Sequence, residues 1–162
     1  MHVFMKSGLI AASFALISPI AATAKSPVAS ALWSGTWELN LARSRLTAPV
    51  GQRSETRVYD VQGNTLNLTA TGTDPSGMPT RYSYSGAFDG KPYPMIGNPV
   101  GDNISITLAT PRRLNATVRR GAAVTAMTRS DISADGRHMT LIRRALHPHA
   151  APTVEVLVFD RK

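Results

Sequence analysis

Cysteine is absent from the 162 residues, which excludes disulfides, thiolate-held zinc, a thiol nucleophile and the lipid acceptor of a bacterial lipoprotein. Acidic residues are scarce, with 10 Asp and Glu against 18 Lys and Arg and a formal net charge of +8. Only 17% of residues are charged and 43% are hydrophobic. That is too apolar for a disordered basic tail, so the positive surplus decorates a folded body of one domain. No apolar run reaches the roughly 20 residues of a spanning helix, and no transmembrane segment is expected. Gly-rich phosphate loops, His-Glu-x-x-His and Gly-x-Ser-x-Gly are missing as well, which removes the common signatures of nucleotide, zinc-hydrolase and serine-hydrolase chemistry.

The N-terminus carries the longest apolar stretch. Lys6 precedes Gly8 to Ile17, Pro19 breaks the run, and Ala22-Thr23-Ala24 supplies a small-x-small site. This order predicts a secretory signal peptide over 1–24, cleaved after Ala24. A flexible arm over 25–32 and a folded domain over 33–162 follow, with periplasmic or secreted localisation. An exported chain without cysteine must hold together by core packing alone.

From Trp33 onward apolar and polar residues alternate with period two, the mark of half-buried strands. Nine strands are predicted: Thr36 to Asn40, Glu55 to Val61, Thr65 to Thr71, Arg81 to Ser85, Asn103 to Leu108, Leu114 to Val118, Ala123 to Ile132, His138 to Arg144 and Val154 to Asp160. Turn residues fall between them, as in Gln62-Gly63-Asn64, Asp74-Pro75-Ser76-Gly77 and Ala134-Asp135-Gly136. Eight to ten short strands joined in sequence predict an all-β fold, a single antiparallel up-and-down β-barrel or a sandwich. The barrel is preferred because it leaves no exposed edge, and its interior suffices for one small ligand or for side chains alone.

Gly35-Thr36-Trp37-Glu38-Leu39-Asn40 with Ala42 to Leu46, Gly72 to Pro79 running into Tyr82-Ser83-Tyr84, and Asp89-Gly90-Lys91-Pro92-Tyr93-Pro94 with Gly97-Asn98-Pro99 resemble a family of exported bacterial lipocalin-like proteins. The resemblance spans nearly the whole mature chain and implies a calycin-type barrel without assigning an activity. Gly35-x-Trp37 also resembles the lipocalin signature, which implies a Trp closing one barrel end beneath a basic side chain from the last strand. Arg161 is the positional candidate for that partner.

Candidate site residues come from three places. Tyr82 and Tyr84 share one face of a strand while Arg81, Ser83 and Ser85 share the other, and alternation leaves open which set lines the interior. Asp89 to Asp102 holds Tyr93, Asn98 and three prolines, and reads as a stiff loop over a barrel mouth, either a plug or a ligand contact. Eight arginines fall between Arg112 and Arg144 with only Asp131 and Asp135 as acids. As sequence neighbours Arg143 and Arg144 point to opposite faces, so an interior arginine, Arg143 among the candidates, could face a ligand anion. His147-Pro148-His149 reads as an exposed loop, and no metal or cofactor is expected.

These features point to a binding protein for a small, largely apolar molecule, with an anionic group as an option. A barrel isomerase, cyclase or lyase is the alternative, and an envelope interaction or inhibitor protein a third. The arginines offer contact with anionic lipid or lipopolysaccharide; nucleic acid is not expected, because no aromatics interleave with them.

Overall fold

The computed structural model describes residues 31–47 and 53–162. The signal peptide and most of the arm lie outside these residues; Ala31 and Leu32 belong to one helical turn with Trp33, and Leu32 packs on the core. Ten antiparallel strands form a closed up-and-down barrel: β1 (Gly35–Leu39), β2 (Ser54–Gln62), β3 (Thr65–Thr73), β4 (Pro79–Ala87), β5 (Asp89–Ile96), β6 (Asn103–Thr110), β7 (Arg113–Arg120), β8 (Ala123–Ile132), β9 (His138–His147) and β10 (Ala150–Arg161). Each strand pairs with its sequence neighbours, and β1 closes the sheet on β10 through Trp37↔Arg161, Glu38↔Asp160 and Leu39↔Phe159. Alternation explains the inside. Tyr59 and Val61, Leu66 and Leu68, Ile104 and Ile106, Leu157 and Phe159 each point inward at every second position.

The end at which β1 begins and β10 finishes is plugged. Trp33 and Trp37 are fully buried, the Trp33 indole donates to the Pro111 carbonyl at 3.0 Å, and the Trp37 indole donates to the Trp33 carbonyl at 3.1 Å. Trp33 meets Tyr59 edge-on with ring centroids 6.2 Å apart. Arg161 lays its guanidinium 4.9 Å from the Trp37 ring centroid, a cation–π contact of about 1 kcal/mol. It also donates to the carbonyls of Ala31, Ser34 and Gly136, tying the N-terminal turn and the β8–β9 turn to the last strand.

One expectation needs correcting. Asp89 to Asp102 is not a loop throughout: Asp89–Ile96 is β5, and the remainder crosses the far end of the barrel. The Met95 amide bonds the Asp102 carbonyl on the β6 side, so strand alternation turns the donorless nitrogens of Pro92 and Pro94 toward β4. There β5 is paired only at Ser83↔Ile96 and Tyr84↔Met95. The prolines thus sit where the ladder is open, which is how a sheet tolerates them. Tyr93 covers this seam from inside, against Gly86, where a Cβ would fall 2.9 Å from the Tyr93 ring.

Gly35 has φ +134°, and a Cβ there would lie 3.3 Å from an Arg161 guanidinium nitrogen. Gly35→Ala is expected to lower stability by about 1–3 kcal/mol through backbone strain and displacement of Arg161. A urea titration reads this as a lower midpoint at unchanged slope; an unmoved midpoint refutes it.

Candidate ligand-binding site

Opposite the plugged end, the residues 74–78 and 97–102 and the turns β7–β8 and β9–β10 surround the mouth. Inside lies a narrow cavity of about 60 Å³ with two unlike walls. Met95, Ile104, Leu114, Ala116, Val118 and Ala126 make the apolar wall, and Arg57, Tyr59, Tyr82 and Arg143 the polar one. Two wider spaces adjoin it at the mouth, of about 290 Å³ and 470 Å³. Val100 and Arg143 line all three.

The polar wall is a pair of ion pairs. Glu55 and Arg57 lie two residues apart on β2 and therefore face the same way; both are buried, and the Arg57 Nε donates to Glu55 Oε1. Arg57 also donates to the Tyr59 hydroxyl at 3.2 Å and stacks 4.8 Å from the Phe159 ring centroid. Farther along the same wall, Arg143 on β9 is the register partner of Glu155 on the adjacent β10 and donates to its Oε2 at 2.8 Å, while the Thr47 amide donates to Oε1 at 3.1 Å. The Tyr82 hydroxyl bonds Glu55 Oε1 at 3.4 Å. Burial pushes the Tyr82 and Tyr84 phenols well above their ordinary range, so both are neutral donors. Among the described residues only one buried side-chain polar atom, Glu55 Oε2, has no hydrogen-bond partner.

Of the candidates read from sequence, Tyr82, Tyr84, Asn98 and Arg143 line the narrow cavity together. Tyr93 does not; its hydroxyl turns away to Asp89 Oδ2 at 3.0 Å. His147 and His149 are exposed at the β9–β10 turn, with His147 3.3 Å from the Thr153 hydroxyl. Glu55, Arg57 and Glu155 escaped the sequence reading. Their signal was parity: Glu55 and Arg57 share the phase of Tyr59 and Val61, and Glu155 that of Leu157 and Phe159.

The arginines spread out. Arg112 donates to the Ser133 carbonyl at 2.6 Å at the plugged end, and Arg120 bonds the Pro99 carbonyl at the mouth. Arg113 and Arg129 share Asp131, at 2.6 and 3.0 Å. On the outer face the register places Met127, Arg144 and Val154 in one row, and Arg129, Ile142, Val156 and Arg45 in the next. Cationic and apolar side chains are therefore interspersed across β8, β9 and β10.

No protein-family model and no curated protein matches the chain. Solved structures similar to it include EF1p2_mFAP2b bound to DFHBI, at 15% identity over 83% of this chain and 98% of that chain, with a TM-score of 0.45. Lobster apocrustacyanin A1 shows 14% identity over 82% and 62%, TM-score 0.45. Apocrustacyanin C1 shows 14% over 85% and 64%, TM-score 0.47. The chain thus spans less than two thirds of either crustacyanin chain.

Removing one member of a buried pair leaves the other charge uncompensated. Arg143→Leu is expected to cost about 3–5 kcal/mol by stranding Glu155, and the double variant with Glu155→Leu to recover most of it. Urea denaturation of the four proteins of this cycle measures the coupling; simple additivity would show the two side chains acting independently.

Proposed function

We propose that the protein is an exported carrier of a small, largely apolar molecule, held in the barrel with its polar end toward Arg143. The observation that carries this is the adjacency of the spaces at Val100, Ala126 and Arg143: a wide, mainly apolar mouth borders a narrow interior with one hydrogen-bonding wall. A molecule with an apolar body and one polar end matches that sequence of surfaces, since apolar area gives affinity and a few fixed polar groups give orientation. Mouth residues Asn98 and Val100 sit on a loop, whereas the interior groups sit on paired strands and are held in place before binding.

Nile red, an uncharged solvent-sensitive dye, is expected to bind at one site with raised emission. Ala126→Phe and Val100→Trp, which fill the junction from two sides, should each weaken binding at least tenfold. A signal unchanged in both variants, or no dye binding by the wild type, overturns the assignment.

The outer face of β7 to β10 favours a second role beside the first, contact with an anionic lipid or lipopolysaccharide surface. Four arginines, Arg45, Arg113, Arg129 and Arg144, meet only Asp131 there, and Met127 and Val154 stand 50% and 59% exposed among them. Each cation near an anionic surface contributes about 1 kcal/mol, lost as salt screens it. Vesicles rich in phosphatidylglycerol are expected to pellet the protein at low salt and several-fold less at about 0.15 M. Arg129→Glu with Arg144→Glu should abolish pelleting; no pelleting of the wild type at low salt ends this reading.

A further inference from the structure

We infer that the inner end of the ligand is a small, uncharged polar group such as a hydroxyl or primary amide, and that carboxylates are rejected from the barrel. This deepens the carrier role and rests on it.

Size comes first. The space reached past Arg143, about 60 Å³, is far narrower than the spaces of about 290 and 470 Å³ at the mouth. A hydroxyl or a primary amide fits there, while the wider body stays among Thr80, Val100 and Ala145 at the mouth.

Charge decides the rest. An interior arginine read from sequence alone invites an anion, but both guanidiniums of the polar wall are already matched. Arg57 is held by Glu55, and Arg143 by Glu155 through two nitrogens. Glu55 and Glu155 are 2% and 3% exposed, and the four side chains sum to zero charge. A carboxylate entering this wall would either stand as a third buried anion or displace Glu155 from Arg143 and strand it. Both leave an uncompensated charge in a poorly solvated space, which is among the costliest arrangements a protein interior offers. A neutral head meets no such penalty.

The hydrogen-bond inventory points the same way. The Tyr82 hydroxyl is engaged with Glu55 Oε1, and among the described residues Glu55 Oε2 has no hydrogen-bond partner. Tyr84, Thr128 and Ser130 add hydroxyls to the lining of the narrow cavity, and a hydroxyl can donate to or accept from a neutral polar head. The protein's overall +8 charge would draw anions to its surface, which makes rejection at the interior the discriminating property.

Calorimetry with 1-decanol, decanamide and decanoate, which share an apolar chain, tests the assignment at about 0.15 M salt and near neutral pH, where the carboxylate is ionised. The wild type is expected to bind the two neutral compounds at least tenfold more tightly than decanoate. Glu155→Gln removes one interior negative charge and should narrow or reverse that preference, with decanoate gaining about tenfold relative to decanol; Glu55→Gln makes the same change of charge on the other wall strand should Glu155→Gln not fold. Decanoate binding the wild type as tightly as decanol, or a preference untouched by either charge-removing variant that folds, overturns the inference while leaving the carrier role standing. Failure of all three compounds and of Nile red to bind overturns both.

Discussion

Closure of the sheet rests on five residues. β1 must pair with β2 on one side and β10 on the other, and its contact with β10 is only three residues long before the chain leaves in the 3₁₀ turn Leu41–Arg43. Two devices lengthen that short seam. The Arg45↔Val156 bridge and the Asn40 amide to the Val158 carbonyl continue the ladder past the end of β1, while Arg161 locks the start of β1 through Trp37 and the carbonyls of Ala31 and Ser34. Without a disulfide, this hydrogen-bonded and cation-capped join keeps the barrel from opening into a sheet with two sticky edges.

A closed barrel of this size must fill its interior or hold something in it, and the two ends divide the task. Where β1 begins and β10 finishes, two fully buried indoles and Phe159 fill the bore. Toward the mouth, the side chains across from the polar wall shrink to Ala116, Val118 and Ala126, and the bore stays open. Opposite ion pairs line one side of that space. A stable core would be served as well by apolar residues of equal volume, since burying charges costs nearly what their attraction returns. They stand beside the space where the bore remains open.

The seam between β4 and β5 shows how irregularity is concentrated where it does least harm. Pro92 and Pro94 present no donor to β4, Gly86 offers no side chain, and Tyr93 covers the gap from within. The next six residues, 97–102, then lie across the mouth, so the loosest part of the wall adjoins the entrance. Strand pairing elsewhere is nearly continuous, as along β2 and β3, where nine successive residue pairs are in register.

Much of the fold was legible in the chain. Period-two alternation specifies strands because neighbouring side chains must take opposite faces, and Gly, Asp and Pro clusters specify turns through their own backbone preferences; both are local properties. The contact of Trp37 with Arg161 was expected from the resemblance of Gly35-x-Trp37 to the lipocalin signature, and pairing of the first strand with the last brings the two together. β5 was not legible, because a proline is compatible with a strand only when its neighbour leaves a gap, and that neighbour's register is not local. The inner wall was half-legible. Parity places Glu55, Arg57, Arg143 and Glu155 on the core side of their strands, yet nothing local says that Arg143 stands opposite Glu155, that two cations meet two anions, or that the space between them stays open. The chain itself sets Arg57 beside Glu55, two residues away on one strand, but register between β9 and β10 decided the second pair and the closed sheet decided the space beside it, because the energy of a buried charge depends on what the neighbouring strand brings up to it.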